Sequence, residues 1–268
     1  MKIQKTGTRL DPILESVAAH AIERRRARGG APVADPDPVR GTRFVRALGT
    51  PGELSFIAEC KRRSPSVGEL TSEVDLGARA EAYARGGAAA LSILTEQDHF
   101  RGHPDDLIAA AKAGLPRLRK DFLLDVDMVV ETVAMGADAV LLLAVCLDDA
   151  QLRDMRAAAR ELGLAVLLEV HDEEELERGL RVDPDCLGVN ARDLRTFEVD
   201  LGVTERLLPL VPPGIVRVAE SGIHAAESAL RMRRAGADAV LVGEALMKSG
   251  DPAATLRQWR AFVGEGQP

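Results

Sequence analysis

Apolar residues along the chain gather into eight short runs, each ending abruptly in polar or charged residues. The runs are Phe56 to Lys61, Leu91 to Glu96, Pro116 to Asp121, Ala139 to Val145, Ala165 to His171, Leu187 to Asp193, Val216 to Gly222 and Ala239 to Glu244. Stretches rich in Ala, Leu, Arg and Glu separate them. Short apolar runs with polar ends read as buried strands, and the stretches between them as helices. Eight such alternations predict an α/β fold, a closed (β/α)8 TIM barrel. In that architecture the ligand site lies at the carboxyl ends of the strands, where the loops are free to carry chemistry.

The first fifty residues have a different pattern. Asp11-Pro12 reads as a helix N-cap followed by Pro at the first helical position. The helix is expected to stop at Gly29-Gly30, with an apolar stripe at Ile13, Leu14, Val17 and Ile22. A Pro-rich linker follows (Ala31 to Pro38), then a short helix near Thr42 to Leu48 and a turn at Thr50-Pro51-Gly52. So short a segment cannot build its own core. The chain is therefore expected to be a single domain over 1–268, with a helical extension (1–50) packed over a barrel (51–268). GADAVLL (Gly136 to Leu142) recurs as GADAVLV (Gly236 to Val242) four units later, and GGAAALS (Gly86 to Ser92) is a weaker copy. The repeat places Gly where a helix ends and a strand begins.

Bulk properties narrow the function. The 268 residues match the ~250 typical of one barrel. A net charge of -7 argues against a nucleic-acid partner. Neither a membrane-span-length apolar run nor a signal-peptide apolar region is present, so a cytoplasmic protein is expected. Cys60, Cys146 and Cys186 lie in or beside apolar runs without metal-like spacing, which fits small apolar residues in a reduced compartment. The histidines show no ligand spacing, so no metal site is expected. Only six of the 35 basic residues are Lys, and two of them, Lys61 and Lys120, lie at strand ends.

Several strand ends carry chemistry. Glu59 and Lys61 are two apart and point to the same face, into the barrel mouth, as reacting groups or as a simple ion pair. The loop Arg62 to Gly68 is cationic and rich in hydroxyls, suited to an anion or a mobile lid and equally to solvent. Lys120, sharing a pocket with Lys61, is expected to have a lowered pKa and to donate a proton near neutrality. Glu169, at the end of the fifth run, is expected to have a raised pKa and to exchange protons. His171 reads as part of the following helix cap, structural rather than catalytic. Asn190 can hold a substrate hydroxyl, and Arg192 a carboxylate or a nearby acid such as Asp193. Ser221, Gly222 and Gly243, at the seventh and eighth strands, allow backbone N–H groups to approach a phosphate.

IAECKRRSPS, LRKDF, LLEVH, GVNARDL, VAESGI and LVGEALM, in this order, resemble indole-3-glycerol phosphate synthase from about Phe56 to the C-terminus. The N-terminal extension resembles that family's extra helical segment, which sits over the barrel mouth. The resemblance implies closure, decarboxylation and dehydration of 1-(2-carboxyphenylamino)-1-deoxyribulose 5-phosphate to indole-3-glycerol phosphate, with no cofactor and no metal. It implies Lys120 as general acid, Glu169 as general base, and Glu59 and Asn190 in support. Lys61 contacts a substrate anion and assists dehydration. Ser66 lies in a first loop that closes over the substrate. Phe100, Phe122, Leu141 and Leu194 match the aryl pocket, positions that can also simply pack a core. Arg192 lies near the substrate carboxylate, and Ser221, Gly222 and Gly243 hold the phosphate.

The chain departs from the family pattern at His103, Met128, Ala191 and Glu244, where Ser or another small residue, Gln, Asn or Ser, and Ser are usual. These bear on affinity and lid behaviour rather than on the Lys and Glu chemistry. The expected partner is a phosphorylated small molecule, and the expected state a monomer. Other readings are a sister phosphate-binding barrel isomerase, a phosphate-ligand-binding barrel without turnover, and a Schiff-base aldolase at Lys120. Product identity, absence of turnover and borohydride trapping would distinguish them.

Overall fold

The computed structural model describes residues 1–29, 36–64, 68–70 and 75–266. Each apolar run forms a strand: β1 (Ser55–Cys60), β2 (Ala90–Leu94), β3 (Arg117–Lys120), β4 (Ala139–Leu143), β5 (Ala165–Val170), β6 (Cys186–Asn190), β7 (Val216–Glu220) and β8 (Ala239–Val242). Every strand pairs in parallel with its sequence neighbour, and β8 returns to β1, so the sheet closes. Most strand positions are buried, because one face fills the barrel and the other meets helices. Residues 63–64 and 68–69 form a small antiparallel pair after β1.

The helices are α1 (Asp11–Arg28), α2 (Pro38–Leu48), α3 (Leu76–Gly86), α4 (Pro104–Ala109), α5 (Val126–Ala134), α6 (Asp149–Glu161), α7 (Glu173–Leu180), α8 (Leu201–Leu207), α9 (Ala226–Arg234), α10 (Glu244–Lys248) and α11 (Pro252–Glu265). Asp75, Asp125, Asp148, Asp172, Asp200 and Asp251 cap α3, α5, α6, α7, α8 and α11 by accepting first-turn N–H bonds. The GADAV echo has a physical basis. Gly136 and Gly236 end helices at φ 75° and 98°, and Asp138 and Asp238 accept the backbone N–H of Arg117 and Arg217 at 2.7 and 2.9 Å. The same joint is thus built at β3–β4 and at β7–β8.

The extension divides between the two ends of the barrel. On the mouth side, α1 buries Ile13, Leu14, Val17, Ala18 and Ala21 in one cluster with Phe122 and Leu141. Arg24 pairs with Glu131 at 2.6 Å, and Arg25 with Asp125 at 2.8 Å. Ile22 is exposed, so the stripe runs through Ala18 and Ala21 instead, as a 3.6-residue period from Leu14 requires. Asp11 is the first helical residue and not the cap. Its carboxylate instead accepts the N–H and hydroxyl of Thr6 and ties down the N-terminal segment.

Helix α2 starts at Pro38, four residues earlier than expected, because Asp37 caps it. It lies against the opposite end. A Cβ on Gly41 would come within 2.5 Å of the Ala165 nitrogen at the start of β5, and Phe44 and Leu48 are fully buried. Arg43 pairs with Asp138 at 3.0 Å, just before β4. The extension therefore does not lie wholly over the mouth: α2 plugs the amino-terminal end. Gly30 and most of the Pro-rich linker lie outside the described residues.

Candidate active site

Side chains alternate along a strand, so every second residue looks into the barrel. The uppermost inward positions are Glu59 on β1, Lys120 on β3, Glu169 on β5, Asn190 on β6 and Glu220 on β7. Strand register brings them together: Asn190 lies opposite Glu220, and Glu169 opposite Gly188. Lys61 follows β1 on the same face. All of these line one cleft, together with Phe100, Phe122, Leu141, Arg192, Leu194, Ser221, Gly222 and Gly243. Every site residue expected from the sequence is there except Ser66, which lies outside the described residues.

The polar floor is tightly paired. Lys120 Nζ donates to Glu169 Oε2 at 3.0 Å and to Glu220 Oε2 at 3.2 Å. Asn190 Nδ2 donates to Glu169 Oε1 at 2.8 Å. Lys61 Nζ stands 2.6 Å from Glu59 Oε1. Gly243 packs against this second pair, and any Cβ there would collide with Glu59 and Lys61. Glu59, Glu169 and Glu220 are each at most 3 % exposed, so three carboxylates face two ammonium groups in low dielectric.

This arrangement reverses two expectations. Burial alone would lower the Lys120 pKa, but Glu169, Glu220 and Glu59 together push it above the usual lysine value. Lys61 does not act on it as the repelling neighbour, because Glu59 takes up Lys61. Burial alone would raise Glu169, yet Lys120, His171 and Asn190 hold it below the ordinary carboxylate range. The carboxyl that does rise is Glu220, pushed up to about 7 by burial and by Glu169 and Glu59 against the pull of Lys120. Its Oε1 has no hydrogen-bond partner among the described residues.

Glu220 is the member of the cluster that the motif reading does not single out, because VAESGI draws attention to the turn at Ser221 and Gly222 that follows it. Its inward phase on β7, two residues after Val218, was the available signal. A second was Gly188 in LGVN: any Cβ there would collide with Glu220 Oε1, so the glycine makes room for the carboxylate.

One wall of the cleft is apolar. The Phe100 and Phe122 rings pack 6.1 Å apart at 40°, and Leu141 and Leu194 line the same cleft. Glu96 accepts the backbone N–H groups of Asp98, His99 and Phe100 and so sets the loop that carries the Phe100 ring. Arg192 does not bridge to Asp193, which pairs with Arg195. It donates instead to the Phe197 carbonyl at 3.0 Å and keeps its remaining donors in the cleft. At the far wall Ser221 and Gly222 both have positive φ, 62° and 73°, a turn of successive left-handed residues that exposes backbone N–H groups. Glu244 lines the same end and is tied to Lys248 at 2.7 Å.

His103 has a structural explanation. Its Nδ1 accepts the Asp105 N–H at 3.2 Å while the Asp106 carboxylate accepts the His103 N–H at 2.9 Å, so it caps α4 as Ser would. Among the described residues no group of three or more His, Cys, Asp or Glu side chains could hold a metal ion, and no helix is long and apolar enough to cross a membrane.

A closed (β/α)8 barrel with a lysine–carboxylate cluster at its mouth, an apolar lining of two aromatic rings and two leucines, and glycine turns after β7 and β8 defines a class: barrel enzymes acting on phosphorylated small molecules. The family model of indole-3-glycerol phosphate synthase matches residues 13–259. The chain belongs to this family, carbon–carbon lyases of tryptophan biosynthesis. It is 48 % identical over 255 residues to indole-3-glycerol phosphate synthase of Nocardioides sp., covering 93 % of this chain and 96 % of that one. It is 45 % identical to that of Laribacter hongkongensis, covering 92 % and 98 %. Among solved structures, 3-hexulose-6-phosphate synthase from Salmonella typhimurium shares the fold at a TM-score of 0.64 and 16 % identity, covering 80 % of this chain and 100 % of that one.

Proposed function

We propose that the cleft binds 1-(2-carboxyphenylamino)-1-deoxyribulose 5-phosphate and converts it to indole-3-glycerol phosphate, CO2 and water. The observation that carries this reading is Lys120 held between Glu169 and Glu220, at 3.0 and 3.2 Å, beside the apolar wall. An ammonium so placed is fully charged and directed, and gives a proton to an oxygen that becomes more basic as bonds form.

The phosphate rests on the turn at Ser221 and Gly222, on Gly243 and on Lys61. The substrate carboxylate faces Arg192, and the ring enters between Phe100, Phe122, Leu141 and Leu194. Binding at both ends holds the ring carbon against the ketone. Lys120 protonates the ketone oxygen as the ring carbon attacks the carbonyl carbon. CO2 then leaves and aromaticity returns. The new hydroxyl takes a second proton, with help from Lys61, and departs as water. Glu169 removes a C1′ proton to complete the indole, oriented by Asn190 and, on the opposite side of the cleft, by Glu59. Ser66 belongs to the loop that covers the bound substrate.

No cofactor takes part in this scheme. The chain acts as a cytoplasmic monomer without nucleic-acid or membrane partners, a reading supported by its net charge of -7 and its three buried thiols. The test is a fluorescence assay of the purified protein with this substrate and chelator present, with Lys120→Ala alongside. Indole emission that grows only with the unmodified protein supports the assignment; no emission from either removes it.

A further inference from the structure

Behind Glu169 stands a histidine that the reaction scheme leaves unused. His171 continues the inward phase of β5 one position above Glu169. Its Nε2 is 3.3 Å from Glu169 Oε1 without forming a well-directed hydrogen bond, and its Nδ1 is 2.9 Å from Glu175 Oε2. Glu175 also accepts the His171 backbone N–H at 2.9 Å, so the ring and its partner are fixed together. The two oxygens of Glu169 therefore face opposite ways, Oε2 to Lys120 and Oε1 to Asn190 and His171.

His171 and Glu175 also line a second cleft, beside the first and sharing Asn190 and Leu194 with it, between the N-terminal segment and the loops after β5 and β6. Lys5, Thr6, Asp172 and Asp193 form its other walls. Glu175, His171, Glu169 and Lys120 stand in one row, with 2.9, 3.3 and 3.0 Å between facing nitrogen and oxygen atoms.

The proposed reaction requires a proton supply. The ketone oxygen leaves as water and so takes up two protons. One proton returns from C1′. The substrate carboxylate departs as neutral CO2, so one further proton must enter from solvent at every turnover. Bound substrate fills the mouth, and Glu169 is 2 % exposed, so that proton has no open route from the front. We propose that His171, charged before substrate closes the mouth, delivers this proton to Glu169 and thence to Lys120. The cationic ring gives up its Nε2 proton to Glu169, keeps its Nδ1 proton on Glu175 as a neutral imidazole, and takes a new proton at Nε2 from solvent once product has left. Burial alone would favour the neutral ring, but Glu169 and Glu175 raise the His171 pKa to about 10, so it is cationic at neutral pH. Asp172, Glu174 and Asp193 line the same cleft, with Lys5, Arg178 and Arg195 of opposite charge.

This inference rests on the proposed reaction, and the experiment separates the two. In steady-state assays His171→Gln should lower kcat about tenfold or more while KM stays within about twofold. Added imidazole should restore turnover in proportion to its protonated form and leave the unmodified protein unchanged. Glu175→Gln should lower kcat in the same direction. A folded His171→Gln variant with unchanged kcat, or a loss that imidazole does not relieve, overturns the relay and leaves the reaction standing. An inactive unmodified protein overturns the reaction instead. The relay is then read by ring-nitrogen NMR of the unliganded protein. The His171 titration, expected near pH 10, should fall by more than about one unit in Glu169→Gln and in Glu175→Gln. Titrations that do not move in either variant overturn the coupling.

Discussion

Gly188 on β6 and Glu220 on β7 fit together as hole and knob: the missing side chain of one is the space occupied by the carboxylate of the other. Gly188→Ala must push Glu220 off Lys120 or displace the β6 backbone. We expect a loss of about 1–3 kcal/mol, typical of overpacking, from denaturant unfolding. Turnover should fall about tenfold because the acid loses one of its two supports. A variant with wild-type stability and rate would show that Glu220 has another resting place.

Lys120→Ala removes the proposed proton donor to the ketone oxygen. Turnover should fall by about 10²–10⁴. Binding of the product should largely survive, because the phosphate turn and apolar wall are untouched. Isothermal titration with indole-3-glycerol phosphate, set beside the rate assay, separates the two effects. Loss of binding together with turnover would make Lys120 a binding residue first.

Glu220 provides a test by pH. Its folded-state pKa is raised to about 7, above the unfolded carboxyl value near 4.5. Any stability it contributes is therefore complete below the unfolded value and is lost as pH climbs through 7. Glu220→Gln lacks this titration. Its stability relative to the unmodified protein should improve between pH 5 and 8, by up to roughly 3 kcal/mol. Urea unfolding of both proteins at the two pH values measures this. A difference that does not depend on pH would mean that Glu220 is already ionised below neutrality.

Glu244 places a carboxylate at the phosphate end of the cleft, and its bond to Lys248 holds its pKa below the usual carboxylate value. It stays charged at neutral pH, and Lys248 offsets part of that charge. Glu244→Ser should lower KM several-fold without changing kcat, and more so at low salt, since the repulsion removed is electrostatic. Lys248→Met should raise KM for the converse reason. An equal response of both variants at high and low salt would argue against a charge effect.

Much of this was legible in the primary structure. Eight apolar runs with charged ends are a local property, and a strand's two-residue alternation follows from backbone geometry alone. Fold class, strand positions and the inward phase of Glu59, Lys120, Glu169 and Asn190 could therefore be read without coordinates. Ile22 lies off the stripe that a 3.6-residue period from Leu14 sets, and Asp11 falls inside the helix because a helix start shifts with the contacts it finds.

By itself, the sequence determined which side chains reach the barrel mouth. Only the tertiary structure decided which of them meet. The protonation states of Lys120, Glu169 and Glu220 are set by charges brought in from β1, β3, β5 and β7, residues up to about 160 positions apart in the chain. Lys61 was expected to repel Lys120, but its near neighbour Glu59 on β1 takes it up, and the closed barrel gives Lys120 two glutamates from β5 and β7. The placing of α2 beneath the barrel and α1 above it was settled the same way, by which faces could be covered once the sheet had closed. Periodicity is carried by each segment alone, whereas electrostatic coupling is a sum over neighbours, and only the closed barrel determines who the neighbours are.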